Sequence, residues 1–351
     1  MDILRKTTFS LSLIVLLVAA GCNGVAVSGV DPQALQRQAL ECLQYSGNSG
    51  DVLLAMQAVE TSVELRLPKA PDLCIQSLSC LPAPLRLAGA LGLIEIPTPQ
   101  AQQQLTSLLS DPDESVRLAA VGALYKLGDT QHTLQVIDAL SSKDRMIRGV
   151  ALTVLGRMGD ESAIQAISPL LDREPIESVR LQAAEALVLL GDNNVLPKLQ
   201  LWQYSNNYQD RVFSVHLMGR VQPPPDFSAD LLQALDDPNQ LVQLQAARSL
   251  GRLGQQAGYQ KALKYLNPSS SLERSIAEHM GISPEDPQLQ TELTKIRSVA
   301  ALALGDIGRW EAAKYLADAI DDPDAQVALA AANASLKLLI KTNKADIRTI
   351  P

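Results

Sequence analysis

The sequence predicts an all-α fold, a right-handed α-solenoid of about nine helix pairs. The first observation is a stretch at residues 115–129 that recurs along the chain every 31 or 32 residues. The second is that most copies follow a shorter apolar helix and a polar turn rich in Asp or Pro. The third is that no alternating apolar pattern of useful length interrupts them. Self-similarity at this period indicates stacked helical units, each of which touches only its neighbours.

The most regular feature of the repeat is an arginine that follows Val, Ile or Leu. The equivalent positions are Arg86, Arg117, Arg148, Arg180, Arg211, Gln243, Arg297 and Ala328. An arginine that recurs once per unit indicates a structural role, so we interpret these side chains and the acidic turns as a ladder of contacts that links the units. Small residues such as Gly156 and Gly251 lie opposite the core face, which predicts helices that are buried on several sides and approach one another closely.

The pattern D-P-D-x-x-V-R-x-x-A-x-x-A-L-x-x-L-G-D at residues 111–129 resembles a HEAT repeat. Its short period and Gly-Asp ending are similar to the HEAT-like repeats of phycobilin lyases. The resemblance covers roughly residues 85–338 and implies an armadillo- or HEAT-like superhelix that serves as a binding scaffold. Lyase activity is not carried over, because no residue of the chain marks that chemistry.

The first 21 residues read as a signal peptide. Arg5 and Lys6 precede an apolar stretch at 11–20, and small residues lead directly to Cys22. This ending resembles the lipobox of bacterial lipoproteins, although Ala19 stands where Leu is more usual. The resemblance implies that Cys22 carries the lipid, and Asn23 after it implies an outer-membrane anchor facing the periplasm. The alternative is an ordinary secretory signal that happens to end near a cysteine.

The mature chain is acidic. The full sequence has 38 acidic and 30 basic side chains, and removal of residues 1–21 takes away Asp2, Arg5 and Lys6. This leaves 37 acidic and 28 basic side chains, a net charge of −9. Nucleic acid and anionic lipid surfaces both favour a basic protein, so we expect no nucleic-acid partner and contact with the membrane only through the lipid.

The expected organisation has five segments. The signal peptide at 1–21 is followed by a tether at 22–30, N-terminal capping helices at 31–84, the repeat array at 85–340 and a tail at 341–351. The array contains an insertion at 267–289, where the spacing of the repeat swells. Insertions in repeat arrays map to loops on one edge, often the binding edge. A neutral surface insertion is an equal alternative.

Two groups of residues are candidates for binding a partner. Nine residues after the arginine position, a stripe of basic residues predicts a surface that suits an extended acidic partner; these are Lys126, Arg157, Arg220, Arg252 and Lys337. The alternative is that they are solvated helix ends, which favour basic residues. An aromatic cluster of Trp202, Tyr204 and Tyr208 suggests an interaction surface, or else fills a gap in a degenerate repeat.

Three cysteines remain besides Cys22, and export would permit a disulfide. Cys42 and Cys80 each end the first helix of adjacent pairs, so we expect a Cys42–Cys80 bond. A Cys42–Cys74 bond and three reduced thiols are the alternatives. No Cys/His spacing indicates a metal site, and no cofactor is expected.

The leading hypothesis is a non-enzymatic, lipid-anchored scaffold that binds a protein partner in the bacterial envelope. The sequence contains no nucleophile–base pairing, metal-ligand spacing or phosphate loop. Two alternatives stay open: an enzyme or cofactor-handling protein of the HEAT-like lyase type, and a purely structural envelope component.

Overall fold

The computed structural model describes residues 29–221 and 227–344. Within these ranges the chain is built from α-helices, short 3-10 turns and loops, with no β-strand, as predicted. No helix in the described ranges combines the length and apolar character that a membrane span requires. The predicted signal peptide and Cys22 lie outside the described residues, so both the signal peptide and the lipid anchor stay predictions.

Twenty α-helices follow one another in the described ranges. In chain order, α1 to α20 span Pro32–Asn48, Val52–Glu64, Ala70–Ser77, Ala83–Glu95, Gln102–Leu108, Glu114–Lys126, Thr133–Asp138, Arg145–Met158, Ile164–Ile167, Leu170–Arg173, Glu177–Leu189, Leu196–Trp202, Tyr208–Met218, Ser228–Ala234, Gln240–Arg252, Tyr259–Leu266, Ser270–Met280, Pro287–Ile307, Ala313–Ile320 and Ala325–Lys341. They form nine pairs, in which the outer part of the fifth pair is split into α9 and α10 and the eighth pair contains α17 as an extra helix. In every pair except the first, where α1 has 17 residues and α2 has 13, the outer helix is shorter than the inner one. The inner helices are α2, α4, α6, α8, α11, α13, α15, α18 and α20.

The ends of the inner helices follow from the turn residues. Asp113 begins α6 because its carboxylate accepts hydrogen bonds from the backbone N–H groups of Ser115 (2.8 Å) and Val116 (3.3 Å). Gly159 ends α8 in the left-handed conformation, at φ 73°, where a side chain would be strained. Asp and Gly therefore set the length of the helix that repeats.

The inner helices stack on one another through small residues. A Cβ placed on Gly251 of α15 would lie 2.6 Å from the backbone of Asp306 and Ile307 in α18. A Cβ on Gly305 would lie 2.6 Å from Cα of Ala334 in α20. These glycines let neighbouring inner helices meet at backbone distance, which confirms the predicted burial on several sides.

The arginine ladder is confirmed for four of the six arginines. Four of the arginines bind a carboxylate in the turn of the next unit, in the pairs Arg86–Asp111 (2.8 Å), Arg148–Glu174 (2.7 Å), Arg211–Asp237 (2.7 Å) and Arg297–Asp322. Arg117 and Arg180 instead bond only carbonyl groups of their own turns. At the matching turn positions of the following units stand Ser142 and Ser205, which offer no carboxylate.

The two ends of the solenoid meet. Helix α1 packs against α20 and α19, and α2 also contacts α20. Across this seam the Gln38 amide donates to the Ala317 carbonyl (3.2 Å) and to Asp321 (3.1 Å). The expectation that every unit touches only its neighbours is therefore wrong for the first and last units. The helices at 31–84 do not cap an open end but close a ring.

The insertion adds a helix to the eighth pair. Helix α17 occupies its first part, and its last residues belong to the start of α18, which is 21 residues long. Leu289 and Leu293 in that extra length are buried. Part of the segment therefore extends the core, and whether the rest has a binding role stays a prediction.

The structure does not contain the expected Cys42–Cys80 disulfide: Cys42, Cys74 and Cys80 are all free. The expectation assumed that α1 and α3 stack side by side. Helix α1 instead packs mainly on α2, α19 and α20, whereas α3 packs on α2 and α4. Because the ring closes, Cys42 lies on a helix that packs against the last pair, α19 and α20, and not against α3.

A charged central cavity

A cavity of about 630 Å³ lies at the centre of the ring. A second cavity of about 370 Å³ adjoins it and shares Glu60, Glu64 and Arg248 with it. Inner helices from six of the nine pairs line the first cavity. Its charged lining residues are Arg66, Arg157, Arg220, Arg248, Arg252, Glu60, Glu64, Glu95 and Glu185. Five cations thus face four carboxylates, a basic excess in a chain that is acidic as a whole.

Ring closure turns most of the predicted basic stripe inward. Arg157, Arg220 and Arg252 line the cavity, and Lys337 lies beside it in contact with Glu64. Lys126 is exposed and donates to the Met158 carbonyl (2.9 Å) without lining the cavity. The residues converge on one space from different sides. They do not form an open stripe, so the expectation of an extended acidic partner along a concave face does not fit this geometry.

Two of the lining arginines are paired and partly open to solvent. Arg157 lies 3.8 Å from Glu95, and Arg220 lies 3.3 Å from Glu185. The side chains of the second pair are 36% and 32% exposed. Such ion pairs are weak and screened by salt, so either arginine can exchange its partner for a ligand at little cost.

The densest charge lies around Asp306, which is only 4% exposed. Its carboxylate accepts from Arg248 (2.7 Å) and Lys337 (3.2 Å), and Nε of Arg252 lies 3.5 Å away. Burial alone would raise the pKa of Asp306, but Arg248, Lys337 and Arg252 together outweigh it and hold the pKa below its usual value. Asp306 is therefore a fixed negative charge that organises the cations around it.

Arg252 is poorly compensated. Its contact with Asp306 is longer than a hydrogen bond, and within the described ranges its guanidinium makes none. Burial lowers the pKa of Arg252, and repulsion from Arg248 lowers it further. The side chain remains charged and faces the cavity with unused N–H donors.

His216 lies among three arginines. Its ring nitrogens contact the Gln245 amide (3.1 Å) and Nη1 of Arg220 (3.5 Å). Burial lowers the pKa of His216 well below 6.5, and Arg252, Arg220 and Arg248 lower it further. The imidazole is therefore neutral and contributes hydrogen-bonding groups to the wall without adding charge.

On the acidic side of the lining, Glu60 makes no ion pair or hydrogen bond within the described ranges. Burial raises the pKa of Glu60; Arg157 lowers it, and Glu64, one helical turn away, raises it. For Glu64, burial raises the pKa, but Lys337, Arg248 and Asn333 together outweigh burial and lower the pKa below its usual value. The cavity lining thus contains one carboxylate without an ion-pair partner in the described ranges, that of Glu60, and more arginines than carboxylates.

The aromatic cluster does not face the cavity. Trp202 and Tyr208 are partly buried and pack against the core, which supports the gap-filling interpretation for these two. Tyr204 is 62% exposed, and its hydroxyl lies 3.4 Å from the Gln233 amide oxygen of the next unit. Of the three, Tyr204 alone presents most of its ring to solvent.

The sequence-based prediction missed Arg248, Glu185 and His216. All three stand five residues after the arginine position, one helical turn before the stripe. The same position supplies Leu91, Thr153, Leu302 and Asn333 to the two cavities. Side chains four apart share a helix face, so this second position was readable from the repeat. Within the described ranges no cluster of His, Cys, Asp and Glu has the geometry of a metal site.

The fold defines an all-α repeat scaffold that closes on itself around a charged cavity. The family model of HEAT repeats matches residues 70–137 and 133–207 of this chain. No curated protein matches the sequence.

Several solved structures are similar. The complex of CpcE and CpcF of phycocyanin lyase from Nostoc is 21% identical, covers 66% of this chain and 94% of its own, and has a TM-score of 0.38. Human deoxyhypusine hydroxylase in complex with glycerol is 16% identical, with coverages of 77% and 96% and a TM-score of 0.37. A HEAT-like repeats protein from Thermococcus onnurineus is 15% identical, with coverages of 79% and 99% and a TM-score of 0.26. Similarity at this level says nothing about what this chain binds.

Proposed function

We propose that this chain is a non-enzymatic scaffold, held at the bacterial outer membrane by a lipid on Cys22 and facing the periplasm. It binds a protein partner by admitting a short acidic segment of that partner to the central cavity. The observation that carries the proposal is the convergence of five arginines from four different helix pairs on one cavity.

The size of the cavity determines what can enter. Ligand sites of about 300–1,000 Å³ suit a small molecule or a few residues of a peptide, and the central cavity falls in that class. A folded domain does not fit. The partner is therefore recognised by a chain end or an extended loop, with the rest of its surface outside the ring.

The charge of the cavity favours acidic groups. Cations outnumber carboxylates in the lining, although the chain as a whole carries a net charge of −8 before processing. Association of an acidic segment with this surface would be steered by charge and would weaken with salt.

The wall chemistry supports binding over catalysis. The one histidine that lines the cavity contacts an amide and a guanidinium, without the nucleophile or orienting carboxylate that acid–base chemistry uses. The repeat fold adds the general tendency of HEAT proteins to bind other proteins.

A pull-down of the mature protein from envelope extract tests the proposal. We expect one stoichiometric partner, captured by wild type and by Arg173→Glu, a control on an exposed outer helix. Arg220→Glu should lose it, because the reversal places a second carboxylate opposite Glu185. The charge swap Arg220→Glu with Glu185→Arg keeps the pair and the cavity charge and should recover capture. Equal capture by all four proteins would place the partner outside the cavity, and no partner at all would favour a purely structural component.

A further inference from the structure

We infer that Arg220, Arg248 and Arg252 form an oxyanion-binding subsite in the central cavity, which holds a carboxylate or a phosphate group. The inference rests on the proposed function, in that it names the group by which an acidic element is recognised. Anion binding by this subsite can also be tested directly with free anions, without the protein partner.

The first argument is a charge count. A connected cluster contains four cations, Arg248, Arg252, Lys337 and Lys341, and two carboxylates, Asp306 and Glu64. The cluster thus carries two positive charges more than it can pair internally. Basic side chains this close repel one another, and an oxyanion of one or two negative charges would remove most of that repulsion.

The second argument is the availability of donors. A guanidinium has five N–H groups in a planar fork that matches the two oxygens of a carboxylate or phosphate. Arg248 uses its Nε on Asp306, and within the described ranges Arg252 uses none in a hydrogen bond. Both side chains line the cavity. Within the described ranges their remaining donors have no protein acceptor, so they are available to a ligand.

The third argument is the position of His216, which lies near all three arginines. Arg220 lies in the turn that follows α13, and Arg248 and Arg252 lie on α15; all three act electrostatically on the ring of His216 in α13. The ring lies 3.5 Å from Nη1 of Arg220 and, being neutral, adds no further positive charge to the group. Arg220 gives the site an edge that is 36% exposed, through which an anion can enter.

The test measures thermal unfolding and calorimetric binding of the mature protein at constant ionic strength. The probes are inorganic phosphate, succinate and hexaglutamate, with chloride as reference. We expect at least one oxyanion probe to raise the Tm of wild type relative to chloride, since a ligand of the folded state stabilises it by mass action. In Arg252→Met the dissociation constant should rise at least ten-fold. The control Arg173→Met should match wild type.

The probes separate the two sources of the anion. Arg252-dependent binding of phosphate or succinate supports a site for free small anions, and binding of hexaglutamate alone supports a site for a protein segment. Absence of binding by all three, or equal binding in Arg252→Met, would overturn the subsite while leaving the pull-down to decide the scaffold. Arg252→Met should fold, because it relieves repulsion; if it does not, Arg220→Gln at the exposed edge provides the same comparison.

Discussion

Nζ of Lys337 lies 2.6 Å from Oε1 of Glu64, and this contact joins the last inner helix of the ring to the first. The same ammonium group also reaches Asp306, at 3.2 Å. Asn333, one turn earlier on α20, donates to Thr61 (3.1 Å) and Glu64 (3.3 Å). A polar seam thus accompanies the packing of α1 on α20, and it lies beside the cavity.

The seam contact should be measurable but small. In a double-mutant cycle of Lys337→Met and Glu64→Gln, we expect a coupling of about 0.2–1 kcal/mol in denaturant unfolding, because the Glu64 side chain is 41% exposed and salt screens the pair. The coupling should fall at high salt. A cycle with no coupling at low salt would mean that apolar packing alone closes the ring.

The close approach of α15 and α18 predicts a strong effect at Gly251. A methyl group there would lie 2.6 Å from two backbone atoms that cannot move independently, so Gly251→Ala should destabilise the fold by about 1–3 kcal/mol. The control is Gly47 in α1, where the added Cβ would meet only Ala58, at 3.9 Å. Gly47→Ala should be neutral or slightly stabilising, since Ala is the better helix former. Equal midpoints for both variants in urea would contradict the packing.

His216 predicts a loss of stability in mild acid. Its pKa is lowered in the folded state, below 6.5, mainly by burial and then by Arg252, Arg220 and Arg248, with Asp306 acting in the opposite direction. Between the folded and the unfolded pKa, the imidazole of His216 is therefore protonated in the unfolded chain and neutral in the folded chain. The stabilising contribution is complete above about pH 6.5 and is lost as the pH falls towards the folded pKa, at up to about 1.4 kcal/mol per pH unit.

Unfolding of wild type and His216→Gln at pH 7 and pH 5 checks this. The variant should lose less stability between the two values, because glutamine keeps polar contacts but does not titrate. His132→Gln, outside the cavity, serves as control and should follow wild type. Parallel losses in all three proteins would show that other groups dominate the pH dependence.

The lipid anchor gives a prediction in the cell. Cys22→Ser should leave the precursor unprocessed by lipoprotein maturation and shift or abolish its fractionation with the outer membrane. The measurement is the mass of the mature amino terminus together with membrane fractionation. A wild-type protein that begins elsewhere, without acyl chains, would mean an ordinary secretory signal.

The sequence by itself determined the helices, the pairing and the ladder. These depend on interactions within a unit or between neighbours, such as the bond from Arg148 to Glu174, and a period of 31 or 32 residues repeats them faithfully. The stripe of Arg157, Arg220 and Arg252 was visible for the same reason. The position five residues after the arginine, which holds Arg248 and His216, could have been predicted from the repeat in the same way.

Only the tertiary structure decided that the ring closes. The path of a solenoid is the sum of small rotations between successive units, and this sum decides between an open superhelix and a ring. No single residue encodes that sum. Because the ring closes, the basic stripe lines a cavity and does not form an open surface. Closure also places Cys42 near the last pair, away from its expected partner. It brings Lys337, near one end of the chain, into contact with Glu64, near the other.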